Sequence, residues 1–150
     1  MYRDMIVFIA GPICSGKTYE SDILADAMNF DHVEISTIVR QLLDTNKRNE
    51  LQGHPELSTQ IIDRIAEIKR TTRRQGVVVS GPRQVEILKA FPEAELIWMN
   101  TPLDTCFERF YDRKDEKDEE WHRDTFEEYV KKDNDLGLQE VKQYMEKEKI

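Results

Sequence analysis

The sequence predicts an α/β fold in which a short parallel sheet of about four strands is flanked by helices. Two observations carry that expectation. Short β-branched runs alternate with stretches of helical periodicity, and two of the runs end in Gly-Pro, at Gly11-Pro12 and Gly81-Pro82. Continuous apolar runs of this kind suit strands buried on both faces, as in parallel sheets.

Met5-Ile-Val-Phe-Ile-Ala10 is the first such run. The stretch from about Gly16 to Asn29 then places Tyr19, Ile23, Ala27 and Leu24, Met28 at helical spacing. His32 to Ile35 predicts a brief second strand, and Ser36 or Thr37 caps a helix carrying Ile38, Val39, Leu42 and Leu43. Polar Asn46 to Pro55 is a loop, and Ser58 to about Thr72 puts Ile61, Ile62, Ile65 and Ile68 on one helical face. Gly76-Val-Val-Val-Ser80 is the clearest strand after the first, followed by a helix with Val85, Leu88 and Phe91. Glu95 to Asn100 predicts a fourth strand, with Trp98 in the core. Leu103, Cys106, Phe107, Phe110 and Tyr111 then trace an amphipathic stripe. From Asp112 to Asp124 nearly every residue is charged, which predicts a solvated connection or an exposed flap. The tail reads as two helical segments broken near Gly137, with no fifth strand. Strand and helix alternate throughout 1–150 without repeats or a linker, so a single doubly wound domain is expected.

Composition narrows the function classes. The 150 residues carry 22 Lys plus Arg against 30 Asp plus Glu, a net charge of −8. That balance weighs against broad electrostatic attachment to nucleic acid or anionic lipid. The longest apolar run, Met5 to Ala10, is too short to span a membrane, and the opening Met1-Tyr2-Arg3-Asp4 has neither part of a signal peptide. A soluble, cytoplasmic protein without a membrane partner is expected. Cys14 and Cys106 are too few for a zinc cluster or a disulfide framework and read as reduced thiols. His32, His54 and His122 show no metal spacing and read as surface residues.

Chemistry enters at Gly11-Pro12-Ile13-Cys14-Ser15-Gly16-Lys17-Thr18, which fits G-x-x-x-x-G-K-[ST] between a buried strand and an amphipathic helix, the setting a P-loop requires. Gly11 and Gly16 let the backbone wrap phosphate oxygens while N–H groups point at the anion. Lys17 supplies a point charge for the β- and γ-phosphates of ATP, and Thr18 a hydroxyl for Mg²⁺. Cys14 is a variable loop position.

With these residues the chain resembles the P-loop nucleoside and deoxynucleoside monophosphate kinases, adenylate-kinase-like and dephospho-coenzyme-A-kinase-like, phage nucleotide and DNA-base kinases included. The resemblance covers about Met5 to Asp133 and implies a three-layer P-loop NTPase fold with a reduced lid. Ile35-Ser36-Thr37-Ile38-Val39-Arg40 resembles the stretch in which a small polar turn, here Ser36, opens the acceptor helix and an arginine, here Arg40, binds the acceptor phosphate. Val78-Val79-Ser80-Gly81-Pro82-Arg83 is similar to the family's strand-three ending, which assigns Arg83 to the acceptor. Ser80 departs from it, standing where the family has the aspartate that organises the magnesium shell, so another carboxylate or water must serve there. Glu108-Arg109-Phe110-Tyr111-Asp112-Arg113 resembles the opening of the lid, whose arginines, Arg109 and Arg113, close over the transferring group.

Three functions follow. The first is an ATP-dependent kinase acting on a nucleoside or deoxynucleoside monophosphate, an anionic nucleophile that needs no general base. The second phosphorylates a hydroxyl, of a small metabolite or of a modified base such as 5-hydroxymethyluracil in phage DNA. A hydroxyl calls for a carboxylate to take its proton, and the resemblance implies Glu34, which at the end of the second strand lies where related deoxyribonucleoside kinases hold such a base, with Asp31 near it. The third is a nucleotide-binding switch without transfer activity, against which Asn46-Lys47-Arg48-Asn49 is no guanine-specificity motif.

Overall fold

The computed structural model describes residues 5–44, 54–112 and 123–148. Its centre is a four-stranded, all-parallel sheet of β1 (Met5–Ala10), β2 (Asp31–Glu34), β3 (Gly76–Ser80) and β4 (Glu95–Trp98), in the order β2-β3-β1-β4. The predicted fold class is the one observed. β1 is central because it is apolar at every position, and its alternate side chains divide between two layers. Ile6, Phe8 and Ala10 join the larger core, whereas Val7 and Ile9 face the helix that follows the P-loop. Register pairs Ile9 with Ser80 and Ser80 with Glu34, so the C-terminal ends of three strands align beside Gly11, two of them ending in polar residues.

That helix, α1 (Lys17–Met28), departs from its expected face. Ser21 and Ala25 are buried, while Tyr19, Ile23 and Met28 of the expected stripe are exposed. Small side chains let α1 lie close on the sheet, and the larger apolar ones are left outside. α2 (Ile35–Leu43) follows β2 without a loop, with Glu34 in extended conformation at its N-cap and no side-chain cap bond. Ser36 and Thr37 fall inside its first turn, which is why neither caps it. Leu42 and Leu43 are exposed beyond the buried Ile35, Ile38 and Val39.

A short 3-10 turn at Pro55–Leu57 leads into α3 (Ser58–Thr71), which buries Ile61 and Ile65. α4 (Val85–Lys89) buries Ile87 and Leu88. β4 stops two residues short of the expected Asn100 and, as an edge strand, leaves Trp98 half-buried instead of in the core. α5 (Leu103–Asp112) and α6 (Arg123–Asp133) pack Phe110, Phe126 and Tyr129 into a second apolar cluster with Ile13 and Cys14 of the P-loop. Phe110 meets Phe126 edge-on at 5.4 Å between ring centroids, a favoured geometry. Most of the charged stretch between these helices, like most of the 46–55 loop, lies outside the described residues. A π-type turn at Asn134–Leu138 breaks the tail as expected, at Gly137 with φ +131°, before α7 (Gln139–Glu148) returns Val141 and Met145 to the main core. Among the described residues there is no fifth strand, and no helix is long and apolar enough to cross a membrane.

Candidate active site

The P-loop runs from the end of β1 to the start of α1, and its shape follows from three residues. Gly11 has no room for a side chain, since a Cβ there would lie 2.7 Å from Ser15 Oγ and 2.8 Å from Met99 Cβ. Cys14 and Gly16 take left-handed backbone angles, φ +60° and +98°, which turn the chain tightly into the helix. Gly16 pays little for this angle because it lacks a Cβ. Ser15 N–H donates to the Pro12 carbonyl at 3.1 Å, closing the turn. Thr101 Oγ1 donates to the Ser15 carbonyl at 2.8 Å and Arg109 Nη1 to the Cys14 carbonyl at 3.4 Å. Ile13 anchors the loop in the aromatic cluster. Burial pushes the neighbouring Cys106 thiol above its ordinary value, so it stays protonated.

Lys17 folds back over this loop, its Nζ donating to the carbonyls of Gly11 at 3.1 Å and Pro12 at 2.8 Å. Burial, and then the Arg83 guanidinium beside it, lowers the amine to about 8, with Asp133 pulling the other way. A cation already desolvated beside a row of N–H groups at a helix start is suited to a phosphate.

Beyond Thr18 a cleft of about 440 Å³ opens between α1, β2, α2 and α3. Thr18 Oγ1 donates to Glu34 Oε1 at 2.6 Å. This hydroxyl and carboxylate are hard oxygen donors beside the phosphate cradle, a set that fits Mg²⁺ completed by nucleotide oxygens and water. Glu34 thus brings to Thr18 the negative charge that Ser80 lacks.

Ser80 is buried and paired with His32, whose Nε2 lies 2.9 Å from Ser80 Oγ and whose Nδ1 lies 2.6 Å from Asp22 Oδ1. His32 is therefore not a surface residue, as its isolation in the sequence suggested. His32 and Glu34 point to the same sheet face, and Asp22 and Thr18 stand one turn apart on α1, so two polar rungs tie edge strand β2 to α1.

The other expected acceptor residues scatter. Asp31 lies at the opposite end of β2 from Glu34, where it pairs with Arg74 at 3.2 Å and accepts from Thr72. Ser36 is half-buried in the first turn of α2 and does not line the cleft. Arg40 is exposed and also outside the cleft wall. The cleft's cation is instead Arg64 of α3, joined by Thr37 and Gln41 of α2. Arg64 flanks the Ile61, Ile65 and Ile68 stripe, and a charge beside an apolar stripe was the available signal. Its contact with Glu67, 3.4 Å between half-exposed groups, is too weak to hold it. Arg83 is brought to the P-loop but is paired with Asp133 at 3.0 Å. Arg113 lies outside the described residues.

A second cavity, about 580 Å³, lies on the other side of the loop between Pro12, Ile13, Trp98 and the tail residues Asp133 and Lys142. Lys142 Nζ sits 5.8 Å from the Trp98 ring centroid.

The chain belongs to the AAA domain family of P-loop proteins, whose model matches residues 7–132. It is 31% identical over 129 residues to the cytidylate kinase of Natronomonas pharaonis, covering 82% of this chain and 66% of that protein. It thus spans just under two thirds of its relative's length. Among solved structures, shikimate kinase from Acinetobacter baumannii matches with a TM-score of 0.61 at 12% identity, over 90% of this chain and 77% of the other. Shikimate kinase from Aquifex aeolicus matches with a TM-score of 0.57 at 16% identity, over 88% and 81%. These structural likenesses establish the shared P-loop fold.

Proposed function

We propose that residues 1–150 act as one P-loop kinase domain that moves the γ-phosphoryl group of ATP to a nucleotide-type acceptor, first of all a nucleoside or deoxynucleoside monophosphate. The observation that carries this reading is the junction at Thr18 and Glu34, where the phosphate cradle opens directly into a cleft holding Arg64. Donor and acceptor meet there in a site that already has cations on both sides. Such a transfer needs positioning and charge neutralisation more than covalent chemistry. Lys17 serves the donor phosphates, Arg109 braces the loop, Arg83 supplies charge between donor and acceptor, and Arg64 holds the acceptor phosphate. Mg²⁺ bound with the nucleotide at Thr18 and Glu34 would neutralise phosphate charge. The likeness to a cytidylate kinase supports a pyrimidine monophosphate as the first acceptor to try.

A second reading, a hydroxyl acceptor, is favoured by the carboxylates of Glu34 and Asp22 on the cleft wall. Glu34 would then take the proton of the hydroxyl as it attacks. Incubation with Mg²⁺ and γ-labelled ATP against the ribo- and deoxynucleoside monophosphates, small hydroxylated metabolites and hydroxymethylated DNA separates the two. Label in a nucleoside diphosphate is the expected result, and label on a hydroxyl would replace the first reading by the second. Glu34→Gln sharpens the outcome. It lowers kcat by roughly a hundredfold or more if Glu34 is a base, and shifts the Mg²⁺ requirement with a smaller loss if it only supports the ion.

A further inference from the structure

Asp133, the last residue of α6, is a carboxylate with only 1% of its side chain exposed. Burying such a charge is costly unless it is paired. Its ion pair is to Arg83 Nε at 3.0 Å, and neither carboxylate oxygen accepts a hydrogen bond of good geometry among the described residues. The turn that follows is built against the same loop. Gln84 Nε2 donates to the Leu136 carbonyl at 3.2 Å. Gly137, at φ +131°, sits so close to Arg83 that a Cβ would lie 2.4 Å from its carbonyl oxygen. The residues 133–137 therefore grip Arg83 and Gln84 by three separate contacts. The grip lies beside the P-loop, since Asp133 lines a cavity with Pro12 and Ile13, and the charges of both Arg83 and Asp133 reach Lys17.

An ion pair whose closest approach is at Nε leaves the four N–H donors of the two Nη groups for another partner. We propose that Asp133 is a positioning residue of the phosphoryl-transfer site: its ion pair on the Nε side of Arg83 fixes the guanidinium, so that the Nη donors stay beside Lys17 for a phosphate. The inference rests on the phosphate-handling role of Arg83 given above. It makes the tail part of the active site, acting through Arg83 without touching the substrate.

A double-substitution cycle tests it, with Arg83→Ala, Asp133→Asn and the two combined. The first readout is calorimetric binding of inorganic tripolyphosphate, which does not depend on the acceptor. The second is kcat and KM for whichever acceptor is phosphorylated. Asp133→Asn and Arg83→Ala should each weaken tripolyphosphate roughly tenfold, the order lost with one charge-assisted hydrogen bond, and the double variant should lose no more than Arg83→Ala alone. Asp133→Glu, which keeps the charge but lengthens the arm, should recover part of the loss. It also decides the matter if Asp133→Asn does not fold: native affinity in a folded Asp133→Glu with the Arg83→Ala loss intact would overturn the proposal. Additive losses would overturn it as well. So would tighter binding by Asp133→Asn, which would make Asp133 a mere opposing anion. If no acceptor is phosphorylated, the kinase reading fails, while the tripolyphosphate cycle still decides the role of Asp133.

Discussion

The P-loop and the cleft proposed for the acceptor share the Thr18–Glu34 contact, yet they are made in opposite ways. Residues 11–18 form the cradle from one contiguous stretch, and backbone angles do most of the work. The cleft gathers Thr18 and Asp22, His32 and Glu34, Thr37 and Gln41, and Arg64 from four elements, with side chains doing the work. An anion cradle needs glycine where a Cβ would collide and a lysine at a fixed offset. An acceptor wall needs only some polar group on the correct face. The first region therefore tolerates little change, whereas the second can be altered one side chain at a time.

Lys17→Ala is the substitution that should separate the two regions most sharply. Transfer should fall by about a thousandfold or more, because the charge opposing the phosphates is lost from a desolvated site. Thermal melting should not fall with it, since the burial of that amine disfavours its charged form. A variant that kept full activity would remove the P-loop from the mechanism.

Gly11→Ala comes next. The new methyl group meets Ser15 and Met99, so it should cost about 1–3 kcal/mol of stability by overpacking and weaken ATP in the same measurement series of melts with and without nucleotide. An equal substitution on the cleft side, Thr37→Ala, should leave both the melt and ATP binding near wild type.

In the cleft itself, Arg64→Ala should raise the acceptor KM by roughly tenfold to a hundredfold, the value of a lost hydrogen-bonded charge, with the ATP KM unchanged. Arg40→Ala should change either constant less than about twofold, since it lies outside the cleft. Steady-state kinetics with both substrates varied would reverse these assignments if Arg40 proved the stronger.

A graded effect is expected on pH. Lys17 titrates at about 8 in the free protein, and bound phosphate holds its proton on. ATP affinity is therefore full below that value and falls as pH rises through it, by up to about tenfold per unit, with proton uptake on binding. Folding responds with the opposite slope. Between about 8 and the ordinary lysine value of 10.5 the unfolded chain binds more protons at Lys17, so this group makes stability rise with pH in that window. Calorimetry in buffers of different ionisation heat measures the uptake, and acceptor affinity should show no such dependence on Lys17.

Legibility in the sequence followed the same division. The Gly11 to Thr18 motif, the alternation of strand and helix and the break at Gly137 were readable because each is a local pattern with a local cause. The face of α1 was not, because periodicity marks which residues share a side but not whether a small residue such as Ala25 will be preferred for a close approach. His32 looked like a lone surface imidazole, since its partners Asp22 and Ser80 are ten and 48 positions away. Arg40 is the one charge on α2 and Arg64 one of five on α3, and only the packing of α2 against α3 decides which of the two arginines enters the cleft. Asp133 was hidden for a similar reason, being one acid in a charged tail until the turn at Gly137 brings it to Arg83.

Where an acceptor binds is measured directly by amide chemical-shift mapping with cytidine monophosphate and a non-hydrolysable ATP analogue. Shifts concentrated at Thr37, Gln41, Arg64 and Ile68 on addition of the monophosphate are the predicted result. Shifts concentrated instead at Trp98, Gln139 and Lys142, around the second cavity, would contradict it.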